Sequence, residues 1–115
     1  MKRYAIGIAA ALALLGHQSA LAQKDTGSAN YMMVGCHDGV SGRNREHFVQ
    51  GLCAGNIQAI LYLGRANNVC PPSGVTMGQA LRVVVAYIDQ LPARLHEPFA
   101  ELALEALQQA WPCRR

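Results

Sequence analysis

Four cysteines and four histidines are the side chains of this 115-residue chain that could do chemistry. Cys36 and His37 are neighbours, with Asp38 next to them, and they have the residue types of a thiol nucleophile and its base. A nucleophile and its base must meet in space, however, and a third group must orient the base. No motif places such a group, and the even number of cysteines predicts that Cys36 is used in a disulfide. The sequence therefore predicts that this protein is not an enzyme.

Metal binding is the other chemistry that these residue types suggest. Cysteines that bind zinc usually come in C-x-x-C pairs, and this chain has none. Glu97, Glu101 and Glu105 follow each other at i, i+4 spacing, for which a solvated helix face is the favoured interpretation and a surface for a basic partner the second. The chain also lacks a C-x-x-C-H haem motif and a glycine-rich phosphate loop after a strand. No metal and no cofactor are predicted.

Residues 1–22 have the pattern of a secretory signal peptide. A short basic start precedes an apolar stretch at 4–15, and small residues at 20–22 predict cleavage after Ala22. No other stretch approaches the roughly 20 apolar residues of a spanning helix, so we expect no membrane insertion after cleavage. Loss of residues 1–22 removes two of the ten basic residues and no acid, and the formal charge falls from +3 to +1. With no basic stripe, nucleic-acid binding is not expected.

The mature part, residues 23–115, is predicted to be a single exported domain. A domain of this size gains modest stability from burial alone, and small exported proteins usually add disulfides. All four cysteines lie in this part, at Cys36, Cys53, Cys70 and Cys113. Their even number and the oxidising compartment predict two disulfides.

The apolar residues of the mature part recur at helical spacing, which predicts an all-α fold with three main helices. The first is expected at about 46–65. The second begins at a capping box formed by Thr76 and Gln79 and is stopped by Pro92. The third begins at Pro98, which suits a first helical position.

A short leading helix of one or two turns is expected at 30–35. After it, glycines with Asp, Ser and Asn predict an exposed loop over 37–45. The first main helix contains Gly51 and Gly55, each of which costs roughly 1 kcal/mol relative to alanine in a helix interior. We therefore expect another backbone to approach the helix closely at these two glycines.

Helix direction selects among the three pairings that four cysteines allow. If consecutive helices are antiparallel, Cys70 and Cys113 end the first and third main helices on the same side of the bundle. Cys53 lies near the opposite side, where Cys36 arrives from the leading segment. A bridge from Cys53 to Cys70 would span most of a helix that rises about 1.5 Å per residue, far beyond the roughly 4.4 to 6.8 Å that a disulfide allows between Cα atoms. We therefore predict the bridges Cys36–Cys53 and Cys70–Cys113.

The chain from Cys70 onward resembles a known family. It has C-x-P-x-G-V-T-x-G-Q, then an apolar helix that ends at a Leu-Pro corner, then an Ala/Leu-rich helix that ends in W-P-C. This arrangement is similar to the Rap/Tai family of immunity proteins, and Gly-Leu-Cys at 51–53 before an Ile/Leu-rich helix also fits. The matching positions are Cys70, Pro72, Gly74, Val75, Thr76, Gly78, Gln79, Tyr87, Leu91, Pro92, His96, Ala106, Leu107, Pro112 and Cys113.

The resemblance implies a small exported protein that binds a cell-wall amidase toxin of type VI secretion and covers its active-site cleft, often as a homodimer. A device that blocks a cleft needs an exposed loop held at both ends, and the segments 37–45 and 89–97 fit. A plain connection between helices is the second interpretation of each. The polar side chains that we expect to contact the partner are His37, Asp38, Arg43, Asn44, Arg45, Asp89, Gln90, Arg94 and His96.

A different class of function stays open on the same scaffold, namely a periplasmic stress chaperone or a general binding protein with no toxin partner. A chaperone would expose apolar surface when partly unfolded in acid, whereas an inhibitor keeps one rigid surface. A neighbouring gene for an exported Cys-His amidase would favour immunity. Tyr87 and Trp111 could be interface anchors or core residues, and their types alone do not distinguish these roles.

Overall fold

The structure is a computed structural model that describes residues 25–114. The predicted signal peptide and its cleavage site lie outside the described residues. The described part is all-α, as predicted, and its helices are α1 (Ala29–Ser41), α2 (His47–Leu63), α3 (Met77–Ile88) and α4 (Phe99–Ala110). Short 3-10 turns follow α2 at Gly64–Asn67 and precede α4 at Pro92–Arg94.

The three main helices begin and end close to the positions that the sequence predicts. The hydroxyl of Thr76 accepts the N–H of Gln79 at 3.1 Å and so caps α3. Asn68 takes a left-handed conformation, with φ of 58°, and ends the turn that follows α2. Pro98 is the residue just before α4 rather than its first residue, a difference of one position.

The leading helix is longer than predicted. The expected exposed loop over 37–45 is wrong at its first five residues, because α1 continues to Ser41 and ends only where Gly42 turns left-handed at φ of 71°. Gly39, which the sequence assigns to the loop, lies inside α1, where a Cβ on it would come within 3.0 Å of a Leu81 methyl carbon. Packing of α1 against α2 and α3 therefore stabilises helical backbone that local propensity disfavours.

Within the described chain, the close approach of two backbones occurs at Gly35 of α1 and not at Gly51 or Gly55, where the sequence predicts it. A Cβ on Gly35 would collide with the main chain of Val49 and Gln50 in α2. A Cβ on Gly51 or Gly55 would meet no atom within 4 Å, and both glycines lie on the exposed side of α2. The close contact therefore uses the glycine of α1 against ordinary residues of α2.

Two disulfides are present with the predicted pairing, Cys36–Cys53 and Cys70–Cys113. Their sequence separations are 17 and 43 residues. In the chain-entropy description, loops of these lengths contribute about 3 and about 4 kcal/mol to the free energy of unfolding. The first bridge ties α1 to α2, and the second ties the segment after α2 to the end of α4.

The core lies between the four helices. Its largest fully buried apolar side chains are Ile57, Val69, Val84, Ile88, Phe99, Leu102 and Leu107. Tyr87 and Trp111 are partly buried and pack against this core.

The N-terminal segment, residues 25–30, crosses the start of α4 and fixes the corner between α3 and α4. The N–H of Phe99 donates to the carbonyl of Gly27 at 2.9 Å, and the N–H of Ala29 donates to the carbonyl of Glu97 at 2.9 Å. The N–H of Asn30 donates to the carbonyl of Leu95 at 2.8 Å. The corner therefore has main-chain partners along its length, which limits its motion.

Candidate functional site

The two segments that the sequence singles out meet in space. His37 Nε2 lies 2.8 Å from Asp89 Oδ1, although the two residues are 52 positions apart in the chain. His37 lies on α1 and Asp89 directly follows α3, and both side chains are about half exposed. The two segments predicted to contact a partner therefore lie on one surface, because α1 packs against α3.

A groove of about 320 Å³ lies beside this pair. We call it the α1 groove, and its lining residues are Asn30, Met33, Val34, His37, Asp38, Arg45 and Leu95. Val34 is 53% exposed and forms the apolar part of this lining together with Met33 and Leu95. An apolar centre with polar residues at its margin is the arrangement found in protein–protein interfaces.

Asp38 lies at the bottom of this surface and does not face solvent. Its side chain is 3% exposed, so direct contact between Asp38 and a partner is not available in this structure. One carboxylate oxygen accepts from Arg45 Nη2 at 3.1 Å, and the other accepts from the N–H of Glu46, the residue that precedes α2, at 3.2 Å. Asp38 thus holds the connection between α1 and α2 and satisfies a donor at the start of α2.

Asp38 has a lowered pKa in the folded protein. Burial alone would raise the pKa of this carboxyl, but the hydrogen bond and positive charge of Arg45, with the N–H groups of Glu46 and Arg45, outweigh burial. A lowered pKa in the folded state stabilises the fold at pH values above the ordinary carboxyl range of about 4, and this contribution disappears as the pH falls through the folded-state pKa.

We therefore expect Asp38→Asn to be less stable than the unmodified protein at neutral pH and to lose less stability in acid. Urea unfolding from about pH 7 to about pH 2 measures both effects, because a protonated Asp38 and the neutral amide of the variant are nearly equivalent. Glu101→Gln is the matched control, since within residues 25–114 the Glu101 carboxylate has no ion-pair partner. Parallel curves for Asp38→Asn and the unmodified protein would contradict the assignment.

Arg94, a predicted contact residue, takes part in a network within the protein, and its side chain stays 35% exposed. Its guanidinium donates to Glu97 at 2.7 and 2.8 Å and to Glu105 at 2.9 Å. The hydrogen bonds to Glu97 and Glu105 raise the pKa of Arg94, and the Arg94 guanidinium lowers the pKa of both carboxyls. Tyr87 also donates to Glu105 at 3.0 Å, and its burial together with this carboxylate raises the pKa of the phenol.

This network corrects the interpretation of the glutamate ladder as a solvated face. Two of its three members, Glu97 and Glu105, hold Arg94, and the third, Glu101, lies exposed without an ion pair in the described part of the chain. Arg94 therefore fastens the corner between α3 and α4 to the body of α4.

The other predicted contact residues lie on the surface. Arg43 and Asn44 are exposed in the short connection between α1 and α2, and Arg45 is 69% exposed beside Asp38. Gln90 and His96 are exposed at the corner, where the Gln90 side chain donates to the carbonyl of Ala86 at 3.0 Å. The structure leaves these five side chains available for contact.

The sequence did not single out the apolar part of the α1 groove, which consists of Met33, Val34 and Leu95. If α1 is extended to Ser41, Val34 and His37 lie one turn apart on the same helix face. This spacing is the sequence signal that could have identified Val34. Leu95 could not have been found this way, because its position opposite α1 depends on the hydrogen bonds of the N-terminal segment.

Within residues 25–114 no group of three or more histidine, cysteine or acidic side chains could hold a metal ion. The same residues include no helix with the length and apolar character needed to cross a membrane.

The fold and this surface define a small, all-α, disulfide-bonded domain with a preformed groove. The family model of the Rap1a immunity proteins matches residues 15–113, which is most of the chain. This protein therefore belongs to the Rap1a immunity protein family, and the resemblance seen in its sequence is confirmed. No curated protein and no solved structure matches the chain. Membership implies a protein that binds a cognate effector, in a family that is generally not enzymatic.

Proposed function

We propose that this protein is the immunity partner of a peptidoglycan amidase delivered by type VI secretion, and that it blocks the amidase by covering its active-site cleft. The observation that carries the proposal is the contact between His37 and Asp89, which brings two predicted contact segments onto one surface. Family membership supports the effector-binding role. The amidase as target comes from the resemblance described above.

The periplasm is the proposed location. The signal pattern of residues 1–22, with cleavage after Ala22, and two disulfides fit an oxidising compartment. An amidase that cuts the cell wall also acts there, so that inhibitor and toxin would meet.

The proposed mechanism is steric exclusion of the cell wall by a rigid surface. The N-terminal segment and the Arg94 network hold the corner between α3 and α4, and Asp38 holds the connection between α1 and α2. A surface that is already ordered loses little conformational entropy when it binds, which favours tight inhibition. No residue of the inhibitor needs to react with the toxin.

A homodimer through the outer face of α2 is part of this proposal. We define this face by Phe48, Gly51, Gly55, Ala59 and Tyr62, which recur at helical spacing. Phe48 is 71% exposed and Tyr62 is 89% exposed, so the face presents two large apolar rings around three small residues. Burial of such a face against a second copy would remove apolar surface from water. Analytical ultracentrifugation that compares the unmodified protein with Gly55→Arg tests the dimer, and we expect only the unmodified protein to dimerise. If the unmodified protein were a monomer at every concentration, the dimer would be refuted.

The proposed function is tested by capture and inhibition. The oxidised, tagged protein, residues 23–115, is incubated with secreted fractions of competing bacteria, and any bound hydrolase is assayed on purified cell wall. We expect one amidase in fixed stoichiometry and its complete inhibition. Recovery of many unrelated proteins, mainly in acid, would support a chaperone instead and would overturn the proposal.

The α1 groove is tested by one substitution in the same assay. We expect Val34→Glu to weaken amidase binding by about 30-fold, or about 2 kcal/mol, because a charge at an apolar interface centre is buried without a partner. Ala66→Glu, exposed in the 3-10 turn after α2 and absent from the groove lining, is the matched control and should bind normally. Equal affinity of both variants, with unchanged circular dichroism, would show that the amidase uses another surface.

A further inference from the structure

The two disulfides differ in their access to solvent. Cys36 and Cys53 are 0% and 1% exposed. Cys70 and Cys113 are partly exposed, and both line a cleft of about 620 Å³ at the end of α4. Exchange requires a thiolate to reach a sulfur atom of the bridge, so only Cys70–Cys113 offers that approach while the protein stays folded.

The described lining of the cleft at this bridge carries two positive charges. Arg65 and Arg114 both line it, and none of the seven acidic side chains of the chain is among its lining residues. Neither arginine takes part in an ion pair within the described residues. Two guanidinium groups beside a disulfide attract anions. They also stabilise both the thiolate that attacks the bridge and the thiolate that leaves it.

Hydrogen bonds hold the two sides of the cleft together independently of the sulfur bridge. The N–H of Cys70 donates to the carbonyl of Trp111 at 2.7 Å, and the N–H of Cys113 donates to Asn68 Oδ1 at 3.2 Å. Gln108 Nε2 donates to the carbonyl of Asn67 at 2.8 Å. These contacts keep Cys70 and Cys113 near each other after the bridge opens, which allows it to close again.

We propose that Cys70–Cys113 is a thiol–disulfide exchange site whose cleft favours small anionic thiols, those that carry a carboxylate or sulfonate group. The anionic group of the thiol interacts with Arg65 and Arg114 while its thiolate attacks one sulfur atom of the bridge. A new sulfur–sulfur bond forms, the old one breaks, and its electron pair leaves on the other cysteine, which takes a proton from water. A second thiolate then attacks the mixed disulfide at the sulfur of the bound thiol, which releases the small-molecule disulfide and leaves the protein as a dithiol.

The test compares three small thiols of similar size and different charge, 2-mercaptoethanesulfonate, 2-mercaptoethanol and cysteamine. The oxidised protein is treated with each at equal thiolate concentration and low ionic strength, and released cysteines are alkylated and identified by mass spectrometry. We expect the sulfonate to open Cys70–Cys113 roughly three- to ten-fold faster than the neutral thiol, with cysteamine slowest. Cys36–Cys53 should stay closed until the protein unfolds.

The two arginines and salt provide the controls. In the double variant Arg65→Gln/Arg114→Gln, the sulfonate should lose its rate advantage over the neutral thiol. The ratio of the two rates should fall toward the ratio measured with a small uncharged disulfide as substrate. Addition of about 1 M salt to the unmodified protein should have the same effect. Arg82→Gln, exposed on α3 and absent from the cleft lining, should keep the selectivity. Equal selectivity in the double variant, or opening of Cys36–Cys53 at the same rate, would overturn the proposal. This test involves no amidase, so its outcome is independent of the proposed function.

Discussion

Replacement of Gly35 by alanine is expected to lower the free energy of unfolding by about 3 kcal/mol, at the upper end of what overpacking of a tight contact usually costs. The added Cβ would collide with the main chain of Val49 and Gln50, and main chain cannot move aside as the end of a flexible side chain can. The Cys36–Cys53 bridge holds α1 on α2 beside this contact, with a Cα separation of 5.5 Å, so the helices cannot separate freely to relieve the collision. Urea unfolding followed by circular dichroism measures the loss.

The control for Gly35 lies in the neighbouring helix. Gly51→Ala and Gly55→Ala introduce the same methyl group into open space. At protein concentrations at which the chain is monomeric, each should stabilise α2 by about 0.5–1 kcal/mol, because alanine loses less conformational freedom than glycine when a helix forms. Two results would contradict the close contact between α1 and α2. One is a Gly35→Ala variant as stable as the unmodified protein, and the other is a change in the free energy of unfolding in the same direction for all three substitutions.

Removal of the Phe99 ring is expected to have an effect of similar size or larger. Phe99 is 1% exposed at the start of α4, and truncation of a buried phenylalanine to alanine costs about 3–5 kcal/mol through lost burial and the cavity that remains. Its N–H also donates to the carbonyl of Gly27, so a loosened Phe99 should release the N-terminal segment. Thermal unfolding measures the stability, and proteolysis near residue 27 reports the release.

The chain provides a matched comparison, because Phe48 is its other phenylalanine. Phe48 is 71% exposed, and Phe48→Ala should change the stability of the monomer by less than about 0.5 kcal/mol. If the outer face of α2 joins two copies, the same substitution should weaken that association. Similar destabilisation of the monomer by both variants would contradict the division between core and surface described here.

Much of the architecture follows from the sequence because it depends on local spacing. Apolar residues at helical intervals, the cap at Thr76 and the stop at Pro92 identify α2, α3 and α4 without tertiary information. The disulfide pairing also follows, since short connections make consecutive helices antiparallel and only one pairing then brings the cysteines within reach. The family follows from motifs that are contiguous in the chain.

The remaining features depend on contacts between residues that are distant in the chain. Local propensity ends α1 early because glycines are poor helix formers, whereas packing against α2 and α3 continues it to Ser41. Composition identifies Gly51 and Gly55 as unusual, but the position of the partner helix determines that Gly35 makes the contact.

The candidate site divides in the same way. The polar residues of the site could be predicted from their residue types and from the predicted exposed connections. Only the tertiary structure decided their roles, since burial and hydrogen-bond partners are properties of the folded chain. It placed Asp38 inside, engaged Arg94 with two glutamates, and brought His37 to Asp89. The sequence by itself determined the three main helices, the disulfide pairing and the family, because these depend on periodicity, reach and contiguous motifs. The tertiary structure decided which surfaces are rigid, charged or open, because those depend on which helices pack together.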